Sequence, residues 1–201
     1  IDRYLTAREI PGLLDGIQQA GARASKIVTH MLSFSRLSNR QLSPCQLPAL
    51  IDQAVEIASN DFDLTESFDF KSLLIQREFD PQLGPVPGIA NELEQVLLNL
   101  TRNAIESMQS IAPEKRVLRI AAAVDNAEPP NVVVSISDQG HGIPPEVAER
   151  LYSPFFSTKA DGMGMGLSIC RTAIEFHGGT LTHADNPVSY THLTLPTIYS
   201  V

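Results

Sequence analysis

Tryptophan is missing from this sequence of 201 residues, aromatic residues make up 6% of it, and cysteine occurs twice. Cys45 and Cys170 are too few and too isolated for a disulfide framework or a zinc site, so a reducing compartment is the expectation. Basic residues are also scarce. Lys and Arg number 15 against 23 Asp and Glu, a formal net charge of −8. That balance argues against general nucleic-acid binding, which needs a basic face for the phosphates. No apolar run approaches the ~18–20 residues of a membrane span. The polar start, Ile1-Asp2-Arg3, lacks the basic-then-apolar pattern of a secretory signal. It also lacks Met, which predicts a piece of something longer. What is present is a globular composition, 43% hydrophobic and 19% charged. Such a chain builds one domain, or one domain with a helical appendage.

The appendage is legible at once. Leu13, Ile17, Ala20, Ala24, Ile27, Met31 and Phe34 step by four and three, a heptad stripe. Pro11 suits the first turn of such a helix. The stripe needs a cover, either a partner helix or the chain's own domain, and we expect a dimerising hairpin or bundle over residues 1–42. Ser38-Asn39-Arg40-Gln41 followed by Ser43-Pro44 reads as a helix end and a linker.

Residues 43–187 read as an α/β domain. Leu47–Ser59 and Ala90–Ser110 have helical spacing, and Asp61–Ser67 reads as an acidic loop. Lys71–Phe79, Val117–Val124, Asn131–Ser137 and Thr180–Thr182 read as strands. Pro81–Pro87 reads as turns, Pro144–Arg150 as a short helix and Gly166–His177 as a longer one. Loosely alternating elements predict a mixed sheet under helices. Residues Val188–Thr197 resemble the translation of a transposase-type sequencing adapter. Residues 188–201 are therefore set aside as a non-native tail, which predicts a sheet lacking its last strand. A genuine β-rich end would have the same Thr, Leu and Tyr content.

Four segments carry chemistry. On the helix Glu92–Met108, Asn99 and Asn103 stand one turn apart, between Gln95, Arg102 and Glu106, while Leu93, Leu97, Leu100, Ala104 and Met108 form the apolar face. Asparagine inside a long helix runs against propensity, and a metal or phosphate site would compensate. Two solvated amides would show the same spacing. Asp138-Gln139-Gly140-His141-Gly142 follows an apolar strand. Its carboxylate can accept an exocyclic amine where glycines let a ligand approach, or the segment is a plain tight turn. Tyr152-Ser153-Pro154-Phe155-Phe156-Ser157-Thr158-Lys159 offers a hydroxyl and an ammonium to a phosphate, or two phenylalanines to a core. Gly162-Met163-Gly164-Met165-Gly166 precedes a helix, and bare amides at a helix N-terminus cradle anions. A flexible loop would have the same glycines.

Taken in order, these segments resemble the N box, first glycine box, F box and second glycine box of the catalytic ATP-binding domain of sensor histidine kinases. That domain belongs to the wider superfamily of gyrase-type and chaperone ATPases. The N box is carried by Glu94–Ala104, and His177-Gly178-Gly179 matches the family after the next helix. The resemblance implies an α+β fold, a two-layer sandwich with a mixed sheet under helices, preceded by a long dimerisation helix. It implies ATP and Mg2+ as cofactors, with Asn103 as the metal ligand and Asn99 beside it as the second catalytic amide. Asp138 reads the adenine amine, and Gly140 and Gly142 give it room. Gly162, Gly164 and Gly166 form the lid hinge, and Arg102 and Lys159 offset phosphate charge. Ile143, Phe156, Thr158, Met165 and Leu167 complete the ATP-binding set.

In hydrolysing relatives a glutamate stands where this chain has Asn99. An amide cannot take a proton from water, which favours transfer to a protein side chain. The family's phosphoacceptor histidine precedes an acidic residue, whereas His30 precedes Met31-Leu32. The acceptor is therefore expected upstream of Ile1. The implied partners are a second copy through residues 11–37 and a response regulator receiver domain. No nucleic acid is implied, and membrane contact only through upstream segments of a cytoplasmic protein. The alternatives are an ATP-hydrolysing clamp or a degenerate nucleotide-binding module. His177 is expected to cap a helix end as a partly positive ring.

Overall fold

The computed structural model describes residues 12–14, 16–17, 21, 41–65, 68–125, 127–128, 130–159, 162–185 and 189–196. The chain divides into two units, Ile1–Arg40 and Gln41–Val201. In the first, residues 12–14, 16–17 and 21 are helical. Leu13 and Ile17 of the heptad stripe are exposed. Pro11, the rest of the stripe and His30 lie outside the described residues.

The second unit runs β1 (Ser43–Cys45), α1 (Leu47–Thr65), β2 (Leu74–Phe79), β3 (Val86–Gly88), α2 (Ala90–Ser107), β4 (Val117–Val124), β5 (Asn131–Asp138), α3 (Pro145–Ala148), α4 (Gly166–Phe176), β6 (Thr180–Asp185) and β7 (Ser189–Pro196). Five strands form one sheet in the order β2-β4-β5-β7-β6. β2 runs parallel to β4, and the other pairs are antiparallel. The helical layer is led by α2, which packs on β5 and is flanked by α1 and α4. This is the mixed sheet under helices expected of the sequence. Among the described residues, no helix is long and apolar enough to cross a membrane.

The core follows from strand alternation. Leu118, Ile120 and Ala122 of β4 are buried, as are Val132, Val134 and Ile136 of β5. Register then places Ala122, Val134, Leu193 and Leu181 side by side across β4, β5, β7 and β6. All four are buried. Asp138 stands at the same parity as Val132, Val134 and Ile136, so the strand delivers its carboxylate to the buried face, opposite Leu118. Asp138 is only 6% exposed, and Ser137 on the opposite face only 5%, so this end of β5 is covered on both faces.

Four boundaries differ from the sequence reading. Ser43–Cys45, expected as linker, pairs antiparallel with Val86–Gly88, expected as turn. Prolines at 44 and 87 favour extended neighbours, and Cys45 and Val86 meet in register as a buried pair. Asp61–Thr65 continues α1 instead of looping away. Phe62 prolongs the buried series of Ile51, Val55 and Ala58, and its ring lies 5.9 Å from that of Phe68. The third difference is the tail. The sheet does not lack its last strand, because Ser189–Pro196 lies between β5 and β6, paired with both. Leu193 and Leu195 fall in phase with the buried rows, and burying each is worth about 1.5–3 kcal/mol. The fourth is a small shift, in which a 3-10 turn at Phe70–Ser72 precedes β2.

Candidate functional site

The apolar series of α2 turns its opposite stripe toward the site. Leu93, Leu97, Leu100, Ala104 and Met108 are buried, while Gln95, Asn99, Arg102, Asn103, Glu106 and Ser107 are half-buried. Asn99 is tied to α4: its Nδ2 donates to Cys170 Sγ at 3.7 Å, and its Oδ1 accepts from Gln95 Nε2 at 3.5 Å. Burial pushes the Cys170 thiol up to about 12, so it remains neutral. Asn103, one turn on, accepts from Lys159 Nζ at 3.0 Å through Oδ1. The same ammonium pairs with Glu106. Arg102 turns the other way, to Asp61 on α1. Burial lowers the pKa of its guanidinium, and the charge of Glu106, which also pairs with Lys159, counters that.

The end of β5 is more tightly built. Asp138 Oδ1 accepts from Ser107 Oγ at 2.7 Å and from the Gly140 N–H at 2.8 Å. Both bonds fall on one oxygen, leaving Oδ2 for another donor. Desolvation raises the Asp138 pKa, opposed by the Ser107 and Gly140 bonds and by the His141 charge. Gly140 has to be glycine here. A Cβ would collide with Ser107 Oγ and sit 2.6 Å from Asp138 Oδ1. Gly142, at φ +72°, needs glycine for its backbone instead.

The two remaining segments meet each other. Gly164, at φ +65°, packs on the Phe155–Phe156 peptide so closely that a Cβ would lie 2.5 Å from Phe156 N. A Cβ on Gly162 would collide with Ser157 Oγ. Phe155 itself has φ +65° and is 72% exposed, so it is not the core residue its type suggests. Phe156 is half-buried, with the Arg150 guanidinium 4.6 Å from its ring centre. Thr158 is exposed, Ile143 and Leu167 are half-buried, and Met165 is buried. Gly166 opens α4, whose first turn holds no acidic residue. The first N–H groups of a helix lack intrahelical acceptors, which is the setting in which helix starts hold anions.

Sequence reasoning placed Glu106 on the polar face but missed two contributors, Ser107 and Cys170. Ser107 had a signal, because it is the next four-residue step after Asn99 and Asn103. One further expectation needs correction. His177 does cap α4, but not as a positive ring. Its Nε2 accepts from the Ile89 N–H at 3.0 Å, so Nδ1, 2.7 Å from Ala173 O, must carry the proton and donate. The ring is neutral, buried, and clasps the end of α4 to the start of α2.

An amide ladder, an inward carboxylate and a glycine-rich helix start arranged in this order define a nucleotide-binding class of fold. The family model described as Histidine kinase-, DNA gyrase B-, and HSP90-like ATPase matches residues 88–198, and the chain belongs to that family. Within it, relatives include sensor proteins and sensor histidine kinases, and the domain is a sensor histidine kinase ATP-binding domain. Sensor protein TdiS of Thauera aromatica is 36% identical over 118 residues, which are 58% of this chain and 21% of that protein. The C4-dicarboxylate transport sensor protein DctS of Rhodobacter capsulatus is 32% identical over 169 residues, 80% of this chain and 23% of that protein. The chain thus spans about a fifth of these curated relatives. Among solved structures, the catalytic domain of histidine kinase ThkA has a TM-score of 0.64 at 28% identity, covering 78% of this chain and 96% of that one. ThkA in complex with response regulator protein TrrA has a TM-score of 0.66 at 27% identity, covering 90% of this chain and 49% of that one.

Proposed function

We propose that the chain binds Mg-ATP between α2, the β5 end and the Phe155–Gly166 segment, and transfers the γ-phosphoryl group to a histidine outside these 201 residues. The observation that carries this reading is Asp138, a buried carboxylate with one oxygen tied down and the other left to accept an amine. The 6-amino group of adenine is such a donor, and guanine presents a carbonyl at that position. Ile143, Met165 and Leu167 supply the apolar sides of the base site, with Phe156 beside them. Gly140 and Gly142 admit the base, while Gly162, Gly164, Gly166 and Thr158 offer donors to the phosphates.

The donor set near Asn103 suits magnesium. Its amide oxygen already attracts a cation, the Lys159 ammonium, and hard oxygen donors are what Mg2+ prefers. Among the described residues, no three His, Cys, Asp or Glu side chains come together as a metal site. A magnesium ion held by Asn103 would take its other ligands from phosphate and water, and would supply neutralisation of phosphate charge. Lys159 and Arg102 add positive charge. Asn99 positions the reacting group and accepts no proton, so the chain does not activate water. The β–γ bridging P–O bond breaks, a P–N bond forms on the acceptor imidazole, and ADP leaves. Catalysis is positioning plus electrostatic stabilisation.

By likeness to its relatives, the parent protein is a cytoplasmic or membrane-attached sensor that dimerises through residues 11–37 and passes its phosphoryl group to a receiver domain. Residues 188–201 read as foreign to that parent, and of them Ser189–Pro196 supplies the strand between β5 and β6. Phosphate release from Mg-ATP tests the kinase reading. Near-zero release with retained ADP binding is expected. Steady hydrolysis would favour the clamp alternative.

A further inference from the structure

Ser107 carries one hydroxyl proton and faces two acceptors at equal distance. Ala104 O, one turn back on α2, and Asp138 Oδ1 each lie 2.7 Å from its Oγ. The proton can serve only one. An ionised carboxylate is the stronger acceptor, so the hydroxyl goes to Asp138 whenever Asp138 is charged. The backbone presses the two side chains together. Gly140 turns over Ser107 so closely that a Cβ there would lie 2.6 Å from Ser107 Cβ. The Gly140 N–H meets the same Oδ1 that Ser107 meets. These two donors fix which oxygen of Asp138 faces inward and which faces a ligand.

We propose that Ser107 is a positioning residue for base recognition, holding Asp138 ionised and in one rotamer so that Oδ2 accepts the ligand's amino group. The inference deepens the proposed ATP reading and rests on Asp138 meeting the base. Neither the family match nor the sequence motifs assign Ser107 a part. The groups around Asp138 are few. Among the described residues, α2 brings the uncharged Ser107, β4 brings Leu118 opposite, β7 brings Ser189 opposite on the other side, and the following loop brings His141, whose charge also favours the carboxylate. Burial pulls the Asp138 pKa upward, and the Ser107 bond is the largest influence opposing it. Without the hydroxyl the carboxyl protonates at higher pH, and a protonated Asp138 is a poorer acceptor.

The test is calorimetric titration of Mg-ADP into the full chain, Ser107→Ala and Asp138→Asn, from pH 8 down to the lowest pH at which all three keep their far-ultraviolet spectrum. Alanine is a strong helix former, so the variant keeps α2, and its far-ultraviolet spectrum checks that. The ratio of parent to Ser107→Ala affinity cancels the titration of the nucleotide itself. We expect this ratio to be small at pH 8 and to grow as the pH falls, by up to about tenfold for each pH unit by which the Asp138 midpoint moves. A ratio that is the same at every pH would overturn the positioning role, because lost packing alone does not titrate. So would a ratio of one throughout, with binding lost in Asp138→Asn. If Asp138→Asn binds like the parent, the base-recognition reading itself fails, separately from the part given to Ser107.

Discussion

The two ends of the proposed nucleotide site are built differently. At the base end, Asp138 is 6% exposed, set by strand parity and held by two donors on one oxygen. At the phosphate end, Asn103 meets an exposed lysine, and the facing loop carries φ +65° at both Phe155 and Gly164. The first is preorganised. The second has to change, since Lys159 occupies the amide oxygen that a metal would use. Rigid recognition of the base and a rearranging phosphate grip is a division of labour that follows from burial. A group inside the sheet–helix core has no freedom, and a group on a loop has.

The largest way to break this comparison is through the sheet. Leu193→Ala opens the row Ala122, Val134, Leu193, Leu181, four residues along β5 from Asp138, and should cost about 2–5 kcal/mol in denaturant unfolding. A loss below about 1 kcal/mol would mean that β7 is not integral to the sheet. Next comes Gly164→Ala. A side chain at positive φ pressed on the Phe155–Phe156 backbone should cost about 1–2 kcal/mol, read as weaker Mg-ADP binding and faster amide exchange over Phe155–Lys159. Amide protection at Asp138 and Gly140 should not move. Equal loosening of both ends would erase the distinction between them.

The third prediction concerns pH. Burial raises the Asp138 pKa, so the folded chain holds this proton more tightly than the unfolded chain. Its contribution to stability is therefore present at acid pH and lost as pH rises from ~3.9 through the raised folded value. Asp138→Asn removes that cost, and at pH 7 the ligand-free variant should melt at or above the parent's temperature. A lower melting temperature would show that the carboxylate stabilises the fold. The smallest effect belongs to Lys159→Met. Its ion pair with Glu106 is exposed, so unfolding should change by less than about 1 kcal/mol. The dependence of ADP binding on magnesium concentration should change instead, because the competing ammonium is gone.

What was legible in the sequence followed the same physical line. α2, β4 and β5 were readable because each is long and strongly periodic, and the motifs sit at their ends. The β1–β3 pair was not, since Cys45 and Val86 are partners across a long sequence gap that holds α1 and β2. Ser107 was on the readable stripe of α2, but its partner Asp138 arrives from β5. The neutral state of His177 depends on the Ile89 N–H, which no local pattern announces. The placement of β7 was missed for another reason. Likeness to an adapter speaks to where residues come from, whereas strand pairing asks only whether Leu193 and Leu195 alternate in phase with their neighbours.

The most direct test of the account is Mg-ADP titration into the chain beside its Asp138→Asn variant at pH 7.5. The account predicts saturable one-to-one binding that weakens in the variant by about 1.5–3 kcal/mol, the scale of a hydrogen bond to a charged group. A folded variant that binds as tightly as the parent would contradict it.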